Sequence, residues 1–190
     1  MRKIILASTS PRRKELLKKV GLIFDIVPSN YEEDMTLPMP PDELVKFLSK
    51  GKAESVAQNY DDALIIGADT IVFLNGHVLG KPYTKERAKE MLEMLSGKEH
   101  SVFTGYTIID TKNKKIVSEA IEEKIKFKDL SEKEINEYIA TEEPLTRGGA
   151  YAIQTVGKTF IENTVRNYDC VVGLPVDSLI KKLKLFNIQL

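Results

Sequence analysis

Residues 4–17 read IILASTSPRRKELL, and this stretch most constrains what the chain can become. A β-branched, apolar run over Lys3–Ala7 predicts a buried strand. It stops at Ser8-Thr9-Ser10, where Ser10 suits a helix N-cap and Pro11 the first helical position. Leu16, Leu17 and Val20 then share one face, and Gly21 ends the helix. A chain that opens as strand, turn and helix is committed to layering helices on a sheet.

The remainder continues in that style. Ile23–Val27 predicts a second short strand, and the acidic, proline-rich stretch Ser29–Pro41 a loop. A helix opens at Pro41 or Asp42 and reaches roughly Tyr60, with Leu44, Phe47, Leu48, Val56 and Ala57 inward and Gly51 an oddity inside it. Ala63–Ile66 reads as a buried strand, and Ile71–Leu74 and Val78–Leu79 flank the hairpin signal Asn75-Gly76. Thr84 caps a helix whose Ala88, Met91, Leu92 and Leu95 form a stripe that Gly97 ends. His100–Asp110 and Ile116–Phe127 are extended segments around a turn at Lys112-Asn113-Lys114. Ser131 and Glu134 make a capping box for the helix carrying Ile135, Tyr138 and Ile139. Short strands are expected near Phe160–Ile161 and Cys170–Val172. A last helix starts at Pro175, with Val176, Leu179, Ile180 and Leu183 inward. Interleaved strands and helices predict an α/β fold with a mixed sheet, antiparallel where hairpins occur.

Charge excludes one class of function. The 28 basic and 28 acidic residues of the 190 cancel. A general nucleic-acid binder needs a net basic field, so no nucleic-acid partner is expected and any anion site must be local. The single cysteine, Cys170, excludes an internal disulfide framework and a cysteine-based zinc site. The apolar run at the N-terminus is far too short for a signal-peptide core, and no segment approaches the length of a membrane span. A soluble, cytoplasmic protein with no membrane partner is the expectation.

The residues that could carry chemistry lie mainly at turns. A strand, a small polar turn and a helix form the geometry that binds phosphate through free backbone N–H groups. Ser8, Thr9 and Ser10 add hydroxyls, while Arg12 and Arg13 add fork-shaped donors. Those two arginines stand where the helix dipole disfavours positive charge, so a negative partner is needed. A solvated pair of arginines, or pairing with Glu15, is the plainer alternative. Asp69, in GADTIV, follows the buried run Ala63–Ile66 and is expected at the strand's carboxyl end, where α/β sheets place ligands. It could hold a divalent metal or take a proton from water; the alternative is a turn cap with Thr70. Lys52 and Lys81 are candidates for phosphate contact, although a lone lysine is more often a surface residue. Glu32, Glu33 and Asp34 form an acidic loop that could offer a carboxylate to Mg²⁺ or simply be solvated. Gly148-Gly149 permits close backbone approach, and the Gln154 amide can read a base edge. No catalytic triad, P-loop or G-x-G-x-x-G motif is present.

Taken in chain order, LASTSPRRKELL, Lys52-Ala53, GADTIVFLNGHVLGKP, LSGKEHSVFTGY, EPLTRGGAYAIQ and VVGLPV resemble the Maf family of nucleoside triphosphate pyrophosphatases. The resemblance covers essentially the whole chain, 1–190, as one Maf-like domain. It implies an elongated α/β structure with a cleft between two lobes, similar to the inosine triphosphatase fold. It implies hydrolysis of the α–β phosphoanhydride, giving a monophosphate and pyrophosphate, with a divalent cation, Mg²⁺ or Mn²⁺. By the same resemblance, Ser8, Arg12 and Arg13 match the phosphate-binding motif, and Lys52 and Lys81 the lysines at the triphosphate. Asp69 matches the catalytic base, and Glu33 or its neighbour Glu32 the metal-holding carboxylate. Arg12, Thr70 and Gln154 match the positions tied to base choice, which implies the dTTP/UTP branch. The late loop departs from the family pattern D-K-A-G-A-Y-G-I-Q-G at Thr146, Arg147, Ala152 and Thr155, among others. The implied partner is a nucleoside triphosphate, and family likeness suggests a homodimer. Two other readings follow from the resemblance: a nucleotide-binding regulator of septum formation, and a pyrophosphatase for modified nucleotides.

Overall fold

The computed structural model describes residues 2–188. The chain divides into two compact units. The first comprises residues 1–70, 104–121 and 173–190; the second comprises 71–103 and 122–172. Among the described residues, six strands run in chain order as β1 (Lys3–Leu6), β2 (Asp25–Ile26), β3 (Ala63–Leu74), β4 (His77–Leu79), β5 (Glu99–Asp110) and β6 (Lys115–Lys126). They form one sheet of order β2-β1-β3-β5-β6, with β4 paired to β3. β1 pairs in parallel with both β2 and β3, and β4 pairs antiparallel with β3, so the sheet is mixed as expected. The helices are α1 (Pro11–Lys19), α2 (Pro41–Ala57), α3 (Lys85–Leu95), α4 (Glu132–Ala140), α5 (Tyr168–Val172) and α6 (Val176–Leu183). Among the described residues, no helix is long and apolar enough to cross a membrane.

Local chemistry sets most of these boundaries. The Ser10 hydroxyl accepts from the Arg13 N–H at the start of α1, and Thr84 does the same for Arg87 at the start of α3. The reciprocal box between Ser131 and Glu134 opens α4. Asn75 and Gly76 both adopt positive φ, 48° and 87°, which gives the tight turn between β3 and β4 the twist that strands favour.

Four expectations need correction. Ile71–Leu74 is not a separate strand: β3 runs unbroken from Ala63, so Asp69 lies inside a strand and not at its end. The parallel ladder with β1 stops at Leu6↔Ile66, so β3 continues past its neighbour and Asp69 still lies beyond the end of that ladder. Cys170–Val172 is part of α5, in which Cys170 and Val172 are buried. Phe160–Ile161 makes only an isolated bridge, Phe127↔Ile161, next to a 3₁₀ stretch over Val156–Phe160. The second strand contracts to Asp25–Ile26, both exposed, which pair with β1 at Ile5 and Leu6.

In the first unit, Ile5, Ala7, Ala53, Val56, Ala63, Ile65 and Ile109 form a core between α2 and the sheet. The helix lies unusually close. A Cβ built on Gly67 would stand 2.2 Å from the Ser49 carbonyl oxygen, and one on Gly105 would stand 2.5 Å from that of Val45. Two glycines, on β3 and β5, thus let the backbone of α2 touch the strands directly. In the second unit, Leu92, Leu95, Tyr138, Phe127, Phe160 and Tyr151 pack with their neighbours around His100. The His100 Nε2 and the Tyr151 hydroxyl are 2.9 Å apart, and burial lowers the His100 pKa to about 4.

Two outcomes follow. Gly67→Ala forces a methyl into helix backbone and should cost about 2–3 kcal/mol or more, read from the urea midpoint. His100 has a folded pKa of about 4, below its unfolded value of 6.5, so its neutral form is favoured in the fold. Its contribution is complete above the unfolded pKa and is lost as pH falls toward the folded one. The chain should lose about 2 kcal/mol more between pH 8 and pH 5 than a His100→Gln variant, measured by urea titrations at each pH.

Candidate active site

The turn after β1 brings the first group together. Ser8 is buried, and its hydroxyl accepts from the Ser10 N–H at 3.1 Å. The Arg13 guanidinium folds back over it. Its Nε donates to the Gly173 carbonyl at 2.8 Å, Nη1 to Ser8 Oγ at 3.4 Å and Nη2 to Thr70 Oγ1 at 3.3 Å. Thr70 shares a further hydrogen bond with the buried Thr104 hydroxyl at 2.8 Å. Burial lowers the Arg13 pKa, opposed by the charges of Asp69 and Glu33. Arg12 is half-buried on the same first turn. The alternative of two solvated arginines, or of pairing with Glu15, therefore fails for Arg13.

The second group forms where α2 lies against β3. Lys52 is 8% exposed, which overturns the plainer reading of a surface lysine. Its Nζ contacts Glu33 Oε1 at 2.7 Å and also binds Asp69 Oδ1. Asp69 is 3% exposed, and its Oδ2 is buried without a hydrogen-bond partner. Loss of solvation raises the Asp69 pKa; Lys52 and Arg13 pull it back down, while Glu33 adds to the rise. Asp69 and Thr70 do not cap a turn. Glu32 and Glu33 are both exposed, and it is Glu33 that reaches Lys52. Gly51 is no longer an oddity: a Cβ there would lie 2.4 Å from the ring of Tyr31, so the missing side chain makes room for the loop that carries Glu33.

Lys81 and Gln154 belong to the second unit, and both are exposed. Their segments are held within it. The Gly149 N–H donates to the Gly80 carbonyl at 3.1 Å, joining the glycine turn to the turn before Lys81. Gly149 has φ +68°, and a Cβ there would meet Val72 at 2.8 Å. On either side of Gln154, the Ala152 N–H donates to the Tyr138 hydroxyl at 3.0 Å, and Thr155 Oγ1 donates to Glu143 at 2.5 Å.

Sequence reasoning missed Thr104 and the carbonyl of Gly173 as supports of the first group. A buried threonine on an alternating strand gives no signal of its own. Gly173 did carry one, because it lies in VVGLPV and a glycine before Leu-Pro suggests an unusual backbone. Its φ is +124°.

A buried carboxylate with one oxygen unengaged, flanked by a lysine and an arginine, can take a proton beside a bound polyanion. That defines a candidate hydrolytic site for a phosphorylated small molecule. The model of the Maf-like protein family matches residues 3–186, and the chain belongs to that family. The dTTP/UTP pyrophosphatase of Bacillus anthracis is 47% identical over 189 residues, covering 100% of this chain and 98% of its own. The dTTP/UTP pyrophosphatase of Bacillus cereus strain ZK / E33L is also 47% identical, with the same coverage. Among solved structures, the Staphylococcus aureus Ham1 protein is similar at a TM-score of 0.49 and 13% identity, over 66% of this chain and 72% of that one.

The glycines at these turns should respond differently to a methyl group. Gly173→Ala must hold positive φ beside Arg13 and should cost about 1–3 kcal/mol. Gly148→Ala, whose nearest contact would be at 3.8 Å, should stay within about 0.5 kcal/mol of the parent or stabilise it. Parallel urea titrations compare the two.

Proposed function

We propose that the protein is a nucleoside triphosphate pyrophosphatase that hydrolyses dTTP and UTP to the monophosphate and pyrophosphate, with a divalent cation. The names of its 47% identical relatives support the substrates. The observation that carries the chemistry is Asp69, a buried carboxylate with Oδ1 on Lys52 and Oδ2 unpartnered.

Each residue of the first unit then has a task. The α1 N-terminus, Ser8, Arg12 and Arg13 hold the triphosphate through backbone N–H, hydroxyl and guanidinium donors. Lys52 neutralises charge that builds on the phosphates as the anhydride breaks. Asp69 takes a proton from the water that attacks the α-phosphorus. The bond from that phosphorus to the bridging oxygen breaks, and pyrophosphate leaves with the electron pair. The raised pKa of Asp69 makes it a stronger base than an ordinary aspartate. Thr70, fixed by Arg13 and Thr104, presents its hydroxyl where the resemblance places base choice.

The donor set fits a divalent cation. Asp69 Oδ2 and Glu33 are the oxygens that would hold Mg²⁺ or Mn²⁺, and Mg²⁺ is commonly bound by one or two carboxylates plus substrate phosphates. When bound, the cation supplies charge neutralisation at the phosphates and lowers the pKa of an attached water.

Pyrophosphate release from dTTP, UTP, CTP, GTP and 7-methyl-GTP with Mg²⁺ tests this. Release should be confined to dTTP and UTP. Asp69→Asn should slow it by about 10³-fold or more while still binding nucleotide. Normal turnover by that variant, or no release from any nucleotide by the parent, would remove the proposal.

A further inference from the structure

We infer that Lys52 bars a divalent cation from the nucleotide-free protein, so that the cation and the triphosphate enter together and Lys52 passes from the carboxylates to the phosphates. The inference deepens the proposed function and rests on it for the identity of the anion.

The argument starts from the oxygens. Lys52 Nζ holds Glu33 Oε1 at 2.7 Å and also holds Asp69 Oδ1. Those are atoms of the two carboxylates that would otherwise ligate a cation. Lys52 takes one oxygen of each, and a dication on the remaining oxygens would stand close to that ammonium, where the two repel one another. Local charge gives the same answer. Asp69 and Glu33 are balanced by Lys52 and Arg13, whose guanidinium feels both carboxylates. A dication arriving alone would enter a neutral pocket already crowded with cations. No third such side chain joins them: among the described residues, no group of three or more His, Cys, Asp and Glu side chains is placed to hold a metal.

A triphosphate changes each term. It brings several negative charges and a set of hard oxygen ligands. Its oxygens are also better partners for a flexible ammonium than two carboxylates shared with a cation. Asp69 Oδ2, already buried and unpartnered, then gains a ligand to face, and Oδ1 is released to join it. Lys52 thus serves twice: first as the counter-ion of a buried aspartate, then as a phosphate contact.

The test reads Mn²⁺ binding by water-proton relaxation enhancement, which sees the protein-bound ion and requires no turnover. Wild-type protein with Mn²⁺ alone should bind at millimolar strength or weaker. Adding the non-hydrolysable analogue α,β-imido-dTTP should produce a strongly enhanced ternary signal. Lys52→Met, with no nucleotide, should bind Mn²⁺ at least about tenfold more tightly than wild type. Micromolar binding of Mn²⁺ to wild type alone would overturn the inference, as would equal affinities in wild type and a folded Lys52→Met variant. If that variant fails to fold by circular dichroism, the wild-type pair decides: an Mn²⁺ affinity unchanged by the analogue overturns the inference. Failure of the proposed function is seen separately, as absence of pyrophosphate release, and leaves the nucleotide-free comparison of wild type with Lys52→Met standing.

Discussion

The site depends on one buried ion pair, Lys52 with Asp69, and on how near a helix can come to a strand. Asp69 is stripped of water, which by itself would drive it to the neutral form. Lys52 opposes this, and its effect falls off with distance, so helix placement decides how far the opposition reaches. That placement comes from Gly67, two residues before Asp69, and from Gly105 on the next strand. Any side chain at either position would push the helix outward. The glycine of GADTIV is therefore not a flexible joint. It is the absence of a methyl group that lets an ammonium on the helix reach a carboxylate on the strand.

The paired arginines at the start of α1 follow the same logic of charge held in place by neutral groups. A guanidinium at a helix N-terminus works against the backbone dipole. Arg13 turns away from that end and spends its donors on a hydroxyl from the turn, a hydroxyl from β3 and a carbonyl near the chain's C-terminal segment. None of these partners is charged, so none neutralises it. Its electrostatic partners are Asp69 and Glu33, which act on it through space. A guanidinium bonded through neutral acceptors is orientated and keeps its field, which suits it to receive a phosphate without first breaking an ion pair.

Local rules in the sequence were enough for the helices other than α5 and for the hairpin turns. Ser10, Thr84 and Ser131 announce three helix starts by cap chemistry, and Asn75-Gly76 announces the hairpin. They were not enough for β3. The polar pair Asp69-Thr70, the first buried and the second partly so, interrupts an apolar run, and strand pairing keeps those residues extended. The apolar run around Cys170 fits a short strand or a helical turn equally well, and tertiary packing selects the helix. Of the candidate residues, Ser8 and Arg13 could be placed from cap and turn geometry. Lys52 could not, because nothing local distinguishes a lysine that points along a helix into a sheet from one in solvent. Gly51 held the missing clue: a helix accepts a glycine at a cost of about 1 kcal/mol when something must pack against it. Here that is Tyr31.

The departures of the late loop have a structural logic of their own. Glu143 accepts from Arg147 at 3.3 Å, from Tyr138 at 3.3 Å and from Thr155 at 2.5 Å. Arg147 and Thr155 both stand where the family pattern has other residues, and both spend hydrogen bonds on the same carboxylate. The Tyr138 hydroxyl also accepts from the Ala152 N–H, so the segment is anchored on both sides of Gln154. A glycine at position 155 could offer no hydroxyl, and a lysine at 147 would meet Glu143 as a point charge without a planar fork. The loop has thus exchanged backbone freedom for side-chain anchorage. An exposed glutamine presented from an anchored segment loses less conformational entropy on contact with a ligand than one on a free loop. The same residues that depart from the pattern therefore anchor the backbone on either side of Gln154.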